Sequence, residues 1–452
     1  MYITRLVLDK IRCFEHIEIP LDNPGSSLVI LGDNGDGKTT VLRSLAMGLC
    51  DESSAAALFR ELPGEYVRRR PRRKHAQTGD VGTITIDLLD TDGARYRTVT
   101  CIKALDAFEV VYQRQGLYQI DGRKEKALSE DKFPWKRIFV SGYGAGTRSQ
   151  GTADFQHYLA VDAVYPLFRY DVPLQNPELA IRRLVEAARG RRGTKEKQKQ
   201  RADEMLKTIE QLLLSVLDLR SRGRLHLTPS GVRVSGPWGN AELGELGDGY
   251  QATITWVLDL LAWWFLKIRR RVSVKPASVR GIVLIDEVEQ HLHPRWQRYI
   301  LALLSSAFPK IQFIVSTHSP LCAAGTADLG DKIYRLINLR RTKGQVEVIP
   351  IPLPYGLRAD QILTSPAFGL PETRHPSLGD RIERYRELLH APYLDKKRQT
   401  ELSHLRSLIA REAPEAGQFE DERRLRQELR SLIQQIERLT RKRKKRDDKT
   451  QA

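Results

Sequence analysis

Gly32-Asp33-Asn34-Gly35-Asp36-Gly37-Lys38-Thr39 fits the pattern G-x-x-x-x-G-K-[ST], between a short apolar run, Leu28–Leu31, and a stretch of helical periodicity from about Thr39 to Leu49. Glycines at those positions let backbone N–H groups wrap a phosphate, a lysine after them reaches the β/γ oxygens, and the threonine hydroxyl can bind Mg²⁺. A second apolar run, Ile282-Val283-Leu284-Ile285, ends in Asp286-Glu287. Alone, that pair would read as a strand running into a helix cap. Beside the first motif, one carboxylate can hold the magnesium and the next can polarise an attacking water. Thr317-His318-Ser319 follows a third buried run and places an imidazole where a γ-phosphate could be sensed. Leu246-Gly247-Asp248-Gly249-Tyr250-Gln251 opens a long helix, and a glycine-flanked helix N-terminus suits phosphate, although on its own it is only a cap.

These residues need a scaffold, and the periodicities supply one. Residues 1–50 read as strand, turn, strand, loop and helix. Alternation over Val81 to Ile120 predicts an antiparallel meander. The stretch 160–220 has helical spacing, and two short strands, Arg224–Leu227 and Val232–Val234, precede the long helix from about Tyr250. Gly281–Ile285 and Gln312–Ser316 with a helix between them form a βαβ pattern. After residue 345, prolines 350, 352, 354, 366, 371 and 376 predict an irregular connector. Helical segments over 379–411 and 419–445 follow, with a hairpin turn at Pro414-Glu415-Ala416-Gly417 and a heptad seam of Leu425, Leu429, Leu432, Ile436 and Leu439.

The 452-residue chain has 74 basic and 56 acidic side chains, a net charge of +18. Segments 68–74, 189–201, 269–280 and 441–446 hold 24 basic residues and one acid, which leaves the rest mildly acidic. Such segments either solvate loops or meet a polyanion. They lack aromatics that would stack bases, so nucleic-acid contact through them would be electrostatic and largely sequence-independent. Cys13, Cys50, Cys101 and Cys322 form no CxxC pair, against a zinc module or disulfide framework. The first residues lack an apolar signal core, and the longest apolar stretch, Thr253–Ile268, is too short for a span and contains Asp259. The expectation is a soluble, cytoplasmic protein without a membrane partner.

The order and residues of the motifs resemble the ABC-type ATPases of the RecF/SMC/OLD-like branch. Leu8-Asp9-Lys10-Ile11-Arg12-Cys13-Phe14 is similar to that branch's N-terminal N-F-R-x-F strand, Gly32–Thr39 to its Walker A, and Leu246–Gln251 to its signature motif. Ile282–Glu287 resembles Walker B, Glu289–Pro294 the D-loop, and Ser316–Pro320 the H-loop. The resemblance covers about residues 1–345. It implies an α/β fold, an ABC-type P-loop ATPase head with a mixed sheet, an antiparallel subdomain and a helical signature subdomain, plus a C-terminal helical hairpin. The head would comprise 1–160 and 224–345, a helical lobe with a basic insertion 161–223, the connector 346–378, the hairpin 379–445 and a basic tail 441–452. ATP and Mg²⁺ are the implied cofactors. Arg12 and the loop residues Asn34, Gly35, Asp36, Gly37, Lys38, Thr39 and Thr40 would hold phosphates, Thr39 and Asp286 the metal. Glu287 would orient water and His318 steady the γ-phosphate. Gly247, Asp248 and Gly249 would close the site of a second protomer, so that ATP glues two heads together. Gly247 stands where serine is usual, and no glutamine is clearly the Q-loop; Ser141–Ala145 is the positional candidate. His291 and His293 could be read as a metal pair, but no third ligand is evident.

The run from Walker B through the H-loop is also similar to the ATPase subunit of Septu-like or retron-associated anti-phage systems. That resemblance implies dimers or higher oligomers and a separate nuclease partner such as an HNH protein. Too few residues follow 345 for a Toprim domain and no HNH-like cluster occurs, so this chain itself is expected to cut nothing. A RecF-like repair clamp binding duplex DNA through its basic loops is the alternative, and a transporter subunit a third reading.

Overall fold

The computed structural model describes residues 1–412 apart from 22, 24, 63–65, 69–79, 105–109, 147–150, 190–193, 218, 220–222, 229–230, 237–238, 269–275, 331–332, 371–375 and 391–394. Two six-stranded sheets carry the first of its two compact units, Met1–Leu370. The central sheet runs in the order Gln345–Ile351, Tyr334–Thr342, Ser27–Gly32, Lys310–Ser316, Arg280–Ile285, Val140–Tyr143. All its pairings are parallel except the hairpin of the first two strands. The other sheet is antiparallel and links Phe14–Pro20, Tyr2–Ile11, Val81–Leu89, Arg95–Ala104, Val110–Asp121 and Lys124–Ala127. The expected meander is therefore present and is joined by the two N-terminal strands.

Why the motif-bearing strands read as unbroken apolar runs is visible in the core. In Ser27–Gly32, Leu28 and Ile30 enter one hydrophobic cluster while Val29 and Leu31 enter another. Arg280–Ile285 does the same, with Ile282 and Leu284 on one side and Val283 and Ile285 on the other. A parallel sheet covered on both faces needs apolar residues at every position, not at alternate ones. The helix Lys38–Gly48 lies in one layer, where Val41, Leu42 and Leu45 share a cluster with Ile84 and Ile86 of the antiparallel sheet.

The other layer holds helices Pro177–Arg189, Lys195–Val216 and Asp248–Lys267 beside a three-stranded sheet of Arg224–Thr228, Gly231–Gly236 and Gly239–Glu242. Residues Ala252–Leu266 of the last helix are all buried, which accounts for its membrane-like hydropathy. Its Asp259 accepts hydrogen bonds from the Tyr143 hydroxyl and the Gln175 N–H, each at 2.9 Å. No helix among the described residues is long and apolar enough to cross a membrane.

Two boundaries differ from expectation. Gln345–Ile351 is a strand, paired from Leu336↔Ile351 to Thr342↔Gln345, so the central sheet continues past residue 345. Its Pro350 disguised it, yet proline is tolerated on an outermost strand whose N–H groups need no partner. The expected 379–411 helix is two helices, Pro376–His390 and Lys396–Glu412, packed on each other with Arg384 Nε donating to Glu401 Oε1 at 2.9 Å. The 414–417 turn, the 419–445 helix with its seam, and the 441–452 tail lie outside the described residues, as do most of the four basic segments.

Candidate active site

The loop that leaves the P-loop strand is shaped by glycine. Gly37 has φ +97°, and a Cβ there would stand 2.5 Å from both Cys13 Sγ and Phe14 Cζ, so both conformation and space demand glycine. It caps the helix whose first residue is Lys38. Lys38 Nζ donates to the carbonyls of Gly32, at 2.9 Å, and Asp33, at 3.0 Å. Burial pulls the Lys38 pKa below the usual lysine range, while the carboxylates of Asp286, Asp36, Glu287 and Glu289 act the other way. A desolvated ammonium among carboxylates is poised to exchange weak carbonyl partners for phosphate oxygens.

Thr39 Oγ1 donates to Asp286 Oδ2 at 2.6 Å. The other carboxylate oxygen accepts from Ser316 Oγ, which in turn accepts from the Glu287 N–H at 2.8 Å. One serine at the end of the strand before the H-loop thus fixes both acids of the Walker B pair. Glu287 has φ +49°, a left-handed backbone that costs a non-glycine residue ~1 kcal/mol or more and places its side chain at the cavity wall. The His318 N–H donates to Glu289 Oε1 at 2.5 Å, which ties the H-loop to the D-loop. A hydroxyl and a carboxylate oxygen side by side are hard ligands of the kind Mg²⁺ takes together with substrate phosphates, so Thr39 and Asp286 fit that ion.

These groups line one cavity of about 870 Å³. Arg12, Asn34, Gly35, Gly37, Lys38, Thr39, Thr40, Asp286, Glu287 and His318, all named from sequence, are in its wall. Asp36 sits behind the loop, nearly buried. Arg12 adopts φ +47°, donates its N–H to Tyr66 O at 2.9 Å and holds its guanidinium over the Tyr66 ring. The wall also contains Arg68, Arg341 and Lys343, which sequence reasoning missed. Arg68 was hidden at the edge of a basic run, and the other two lie at the tip of the hairpin Tyr334–Ile351, outside any motif. Five cations against Asp286 and Glu287 make this wall positive, as a polyphosphate site requires.

Gly247, Asp248 and Gly249 are not in this wall. They open the helix Asp248–Lys267 against the D-loop: a Cβ on Gly249 would stand 2.3 Å from His291 O, and Tyr250 packs edge-to-face on Trp296 with centroids 4.4 Å apart. Around Gly247 a Cβ would meet nothing within 4 Å. His293 Nδ1 accepts from the Arg295 N–H at 3.2 Å and caps the helix Pro294–Ala307, a structural use for one member of the His291/His293 pair. At the Q-loop position, Tyr143 O accepts from the Asp286 N–H at 2.8 Å, so the strand behind it is hydrogen-bonded to the Walker B acid.

Residues 5–214 match a family model described as "AAA domain", and residues 257–323 match another described as "AAA domain, putative AbiEii toxin, Type IV TA system". The chain is similar to "Septu protein PtuA" of Bacillus mycoides, 26% identical over 85% of this chain and 46% of that one. It is also similar to "Retron Vc95 probable ATPase" of Vibrio cholerae, 36% identical over 26% of this chain and 22% of the relative. The matches therefore span less than half the length of either relative. Among solved structures, the Smc head domain of Pyrococcus furiosus with an extended coiled coil, bound to the C-terminal domain of ScpA, matches 78% of this chain and 96% of that one, with a TM-score of 0.46 and 15% identity. In motif order and in sequence the chain is similar to AAA-domain proteins and to the Septu and retron ATPases.

Proposed function

We propose that the chain is a Mg²⁺-dependent ATP hydrolase whose heads sandwich ATP at a dimer interface, and that it serves as the sensor or regulatory ATPase of a prokaryotic anti-phage complex controlling a separate nuclease. The observation that carries the hydrolase reading is the hydrogen-bonded set Thr39–Asp286–Ser316–Glu287 facing Lys38 across one cationic cavity. Lys38 and the loop amides hold the phosphates, Glu287 orients the water, and His318 reaches the γ-phosphate. Magnesium, held by Thr39 and Asp286, would neutralise charge on the β- and γ-oxygens. The position of Gly247–Gly249 outside their own cavity supports the sandwich, because a signature helix that cannot reach its own nucleotide is free to complete another's. The kinship with Septu and retron proteins supports the defence role. It does not favour the repair-clamp alternative, whose basic segments fall mainly outside the described residues.

Glu287→Gln tests the sandwich. Removing the water-orienting carboxylate should lower hydrolysis by about 10²–10⁴-fold while binding persists, and light scattering should find a dimer with Mg-ATP and a monomer without it. A variant that binds ATP yet stays monomeric would falsify the sandwich. The partner is tested separately by native purification and mass analysis. A co-purifying protein with metal-nuclease motifs is expected, and a lone ATP-dependent dimer that binds DNA would remove the defence role.

A further inference from the structure

Asp36 is an acid inside a phosphate-binding loop. It lies two residues before Lys38, and its carboxylate, nearly buried, accepts from the Asp33 N–H through Oδ2 at 3.3 Å. A fixed negative charge at that place repels the anion the loop is built to hold and also takes up one of the loop's N–H groups. The neighbouring cation comes from far along the chain. Arg341, at the tip of the hairpin formed by Tyr334–Thr342 and Gln345–Ile351, brings Nε to 3.5 Å from Asp36 Oδ1 and donates from Nη2 to Gly35 O at 3.0 Å. The turn that carries it is tight, with Lys343 at φ +51° and Gly344 at φ +84°.

We propose that Arg341 is a positioning residue for nucleotide binding: it neutralises Asp36 and clasps the loop at Gly35, so that a loop containing an acid still accepts a triphosphate. This rests on the nucleotide reading of the cavity and adds to it a compensating charge pair between the loop and the hairpin at the edge of the central sheet. Three physical consequences follow. Removing Arg341 alone exposes the Asp36 charge to the phosphates and loosens the loop. Removing Asp36 alone takes away the repulsion and frees Arg341, which already borders the cavity, to turn towards the anion. Removing both leaves a loop with no acid and hence little need for the arginine. The two substitutions must therefore act in opposite directions and be strongly coupled.

The test is equilibrium binding of a fluorescent ATP analogue with Mg²⁺ to the full chain, as a double-mutant cycle of Asp36→Ser and Arg341→Ala. Arg341→Ala alone should weaken binding by about tenfold or more, in keeping with the cost of like-charge juxtaposition. Asp36→Ser alone should tighten it a few-fold. In the Asp36→Ser background, Arg341→Ala should cost no more than about threefold, since the pair is then already broken. Arg341→Lys should keep most of the affinity, which a purely structural role of the guanidinium would not preserve. An equal loss from Arg341→Ala in both backgrounds overturns the proposal and makes Arg341 a direct phosphate ligand. Loss of affinity in Arg341→Lys as large as in Arg341→Ala overturns it as well. A wild-type chain that binds no nucleotide overturns the nucleotide reading of the cavity, and this proposal with it. Melting curves of every variant confirm that the comparison is between folded chains, and if Arg341→Ala does not fold, the lysine variant in both Asp36 backgrounds carries the test.

Discussion

Lys38→Ala is expected to lower steady-state phosphate release by about 10³-fold or more, the order of effect found when a preorganised cationic or hydrogen-bond donor is removed from a charge-developing transition state. The geometry explains why the arginines of the wall do not substitute. Lys38 Nζ is held between the Gly32 and Asp33 carbonyls, at the one point where the loop closes on itself and the two Walker B acids come near. Arg12, Arg68 and Arg341 reach the cavity from other elements, and each is already engaged: Arg12 over the Tyr66 ring, Arg68 with Glu15, Arg341 with Asp36. The same substitution leaves the carboxylates of Asp286 and Glu287 in the cavity wall, with Asp36 and Glu289 nearby, without the ammonium that offsets them. Affinity for ATP should therefore fall more than affinity for a nucleoside with no phosphate. Phosphate release and nucleotide binding measured on the same preparation, with a melting curve to show that the chain is folded, decide it. A variant that keeps more than about a tenth of the activity removes Lys38 from the phosphates.

How much of this was legible beforehand depends on how local the physical requirement is. Gly37 and Lys38 could be read because the loop's conformation and chemistry are set within eight residues. Leu28–Leu31 and Ile282–Ile285 could be read because burial on both faces forces a continuous apolar run. Arg341 could not: its partners Gly35 and Asp36 are more than 300 residues away, and Arg340-Arg341-Thr342-Lys343-Gly344 is an ordinary polar turn until the hairpin is folded over the loop. Ser316 shows the intermediate case. It was legible as part of a motif, yet its hydrogen bonds to Asp286 and Glu287 arise only because the strands Arg280–Ile285 and Lys310–Ser316 pair in register. The strand Gln345–Ile351 was lost to its proline, a residue that argues against a central strand but not against an outermost one.

Asp259→Asn is expected to abolish a pH-dependent loss of stability. Asp259 is an acid in the middle of the buried helix Asp248–Lys267, and burial raises its pKa from 3.8 to about 7 despite hydrogen bonds from the Gln175 N–H and the Tyr143 hydroxyl. Burial and the nearby carboxyl likewise lift the Tyr143 hydroxyl well above its ordinary range, so the tyrosine stays a neutral donor. Since the folded chain holds the Asp259 proton more tightly than the unfolded chain, folding is favoured at low pH. Its stability falls as pH rises from about 4 through about 7, by an upper bound of about 4 kcal/mol for this group. Asparagine reproduces the neutral acid at every pH. The difference in melting temperature, variant minus wild type, should then be smallest near pH 4, grow steadily through pH 7 and be clearly positive at pH 8. A difference that stays flat across that interval would mean that Asp259 is ionised in the folded chain. Because Tyr143 O also accepts from the Asp286 N–H, ionisation of Asp259 would disturb the strand behind the carboxylate proposed to hold magnesium. Hydrolysis by the wild type should for that reason decline above pH 7 more steeply than hydrolysis by Asp259→Asn, and a pH–rate profile of both chains measures it.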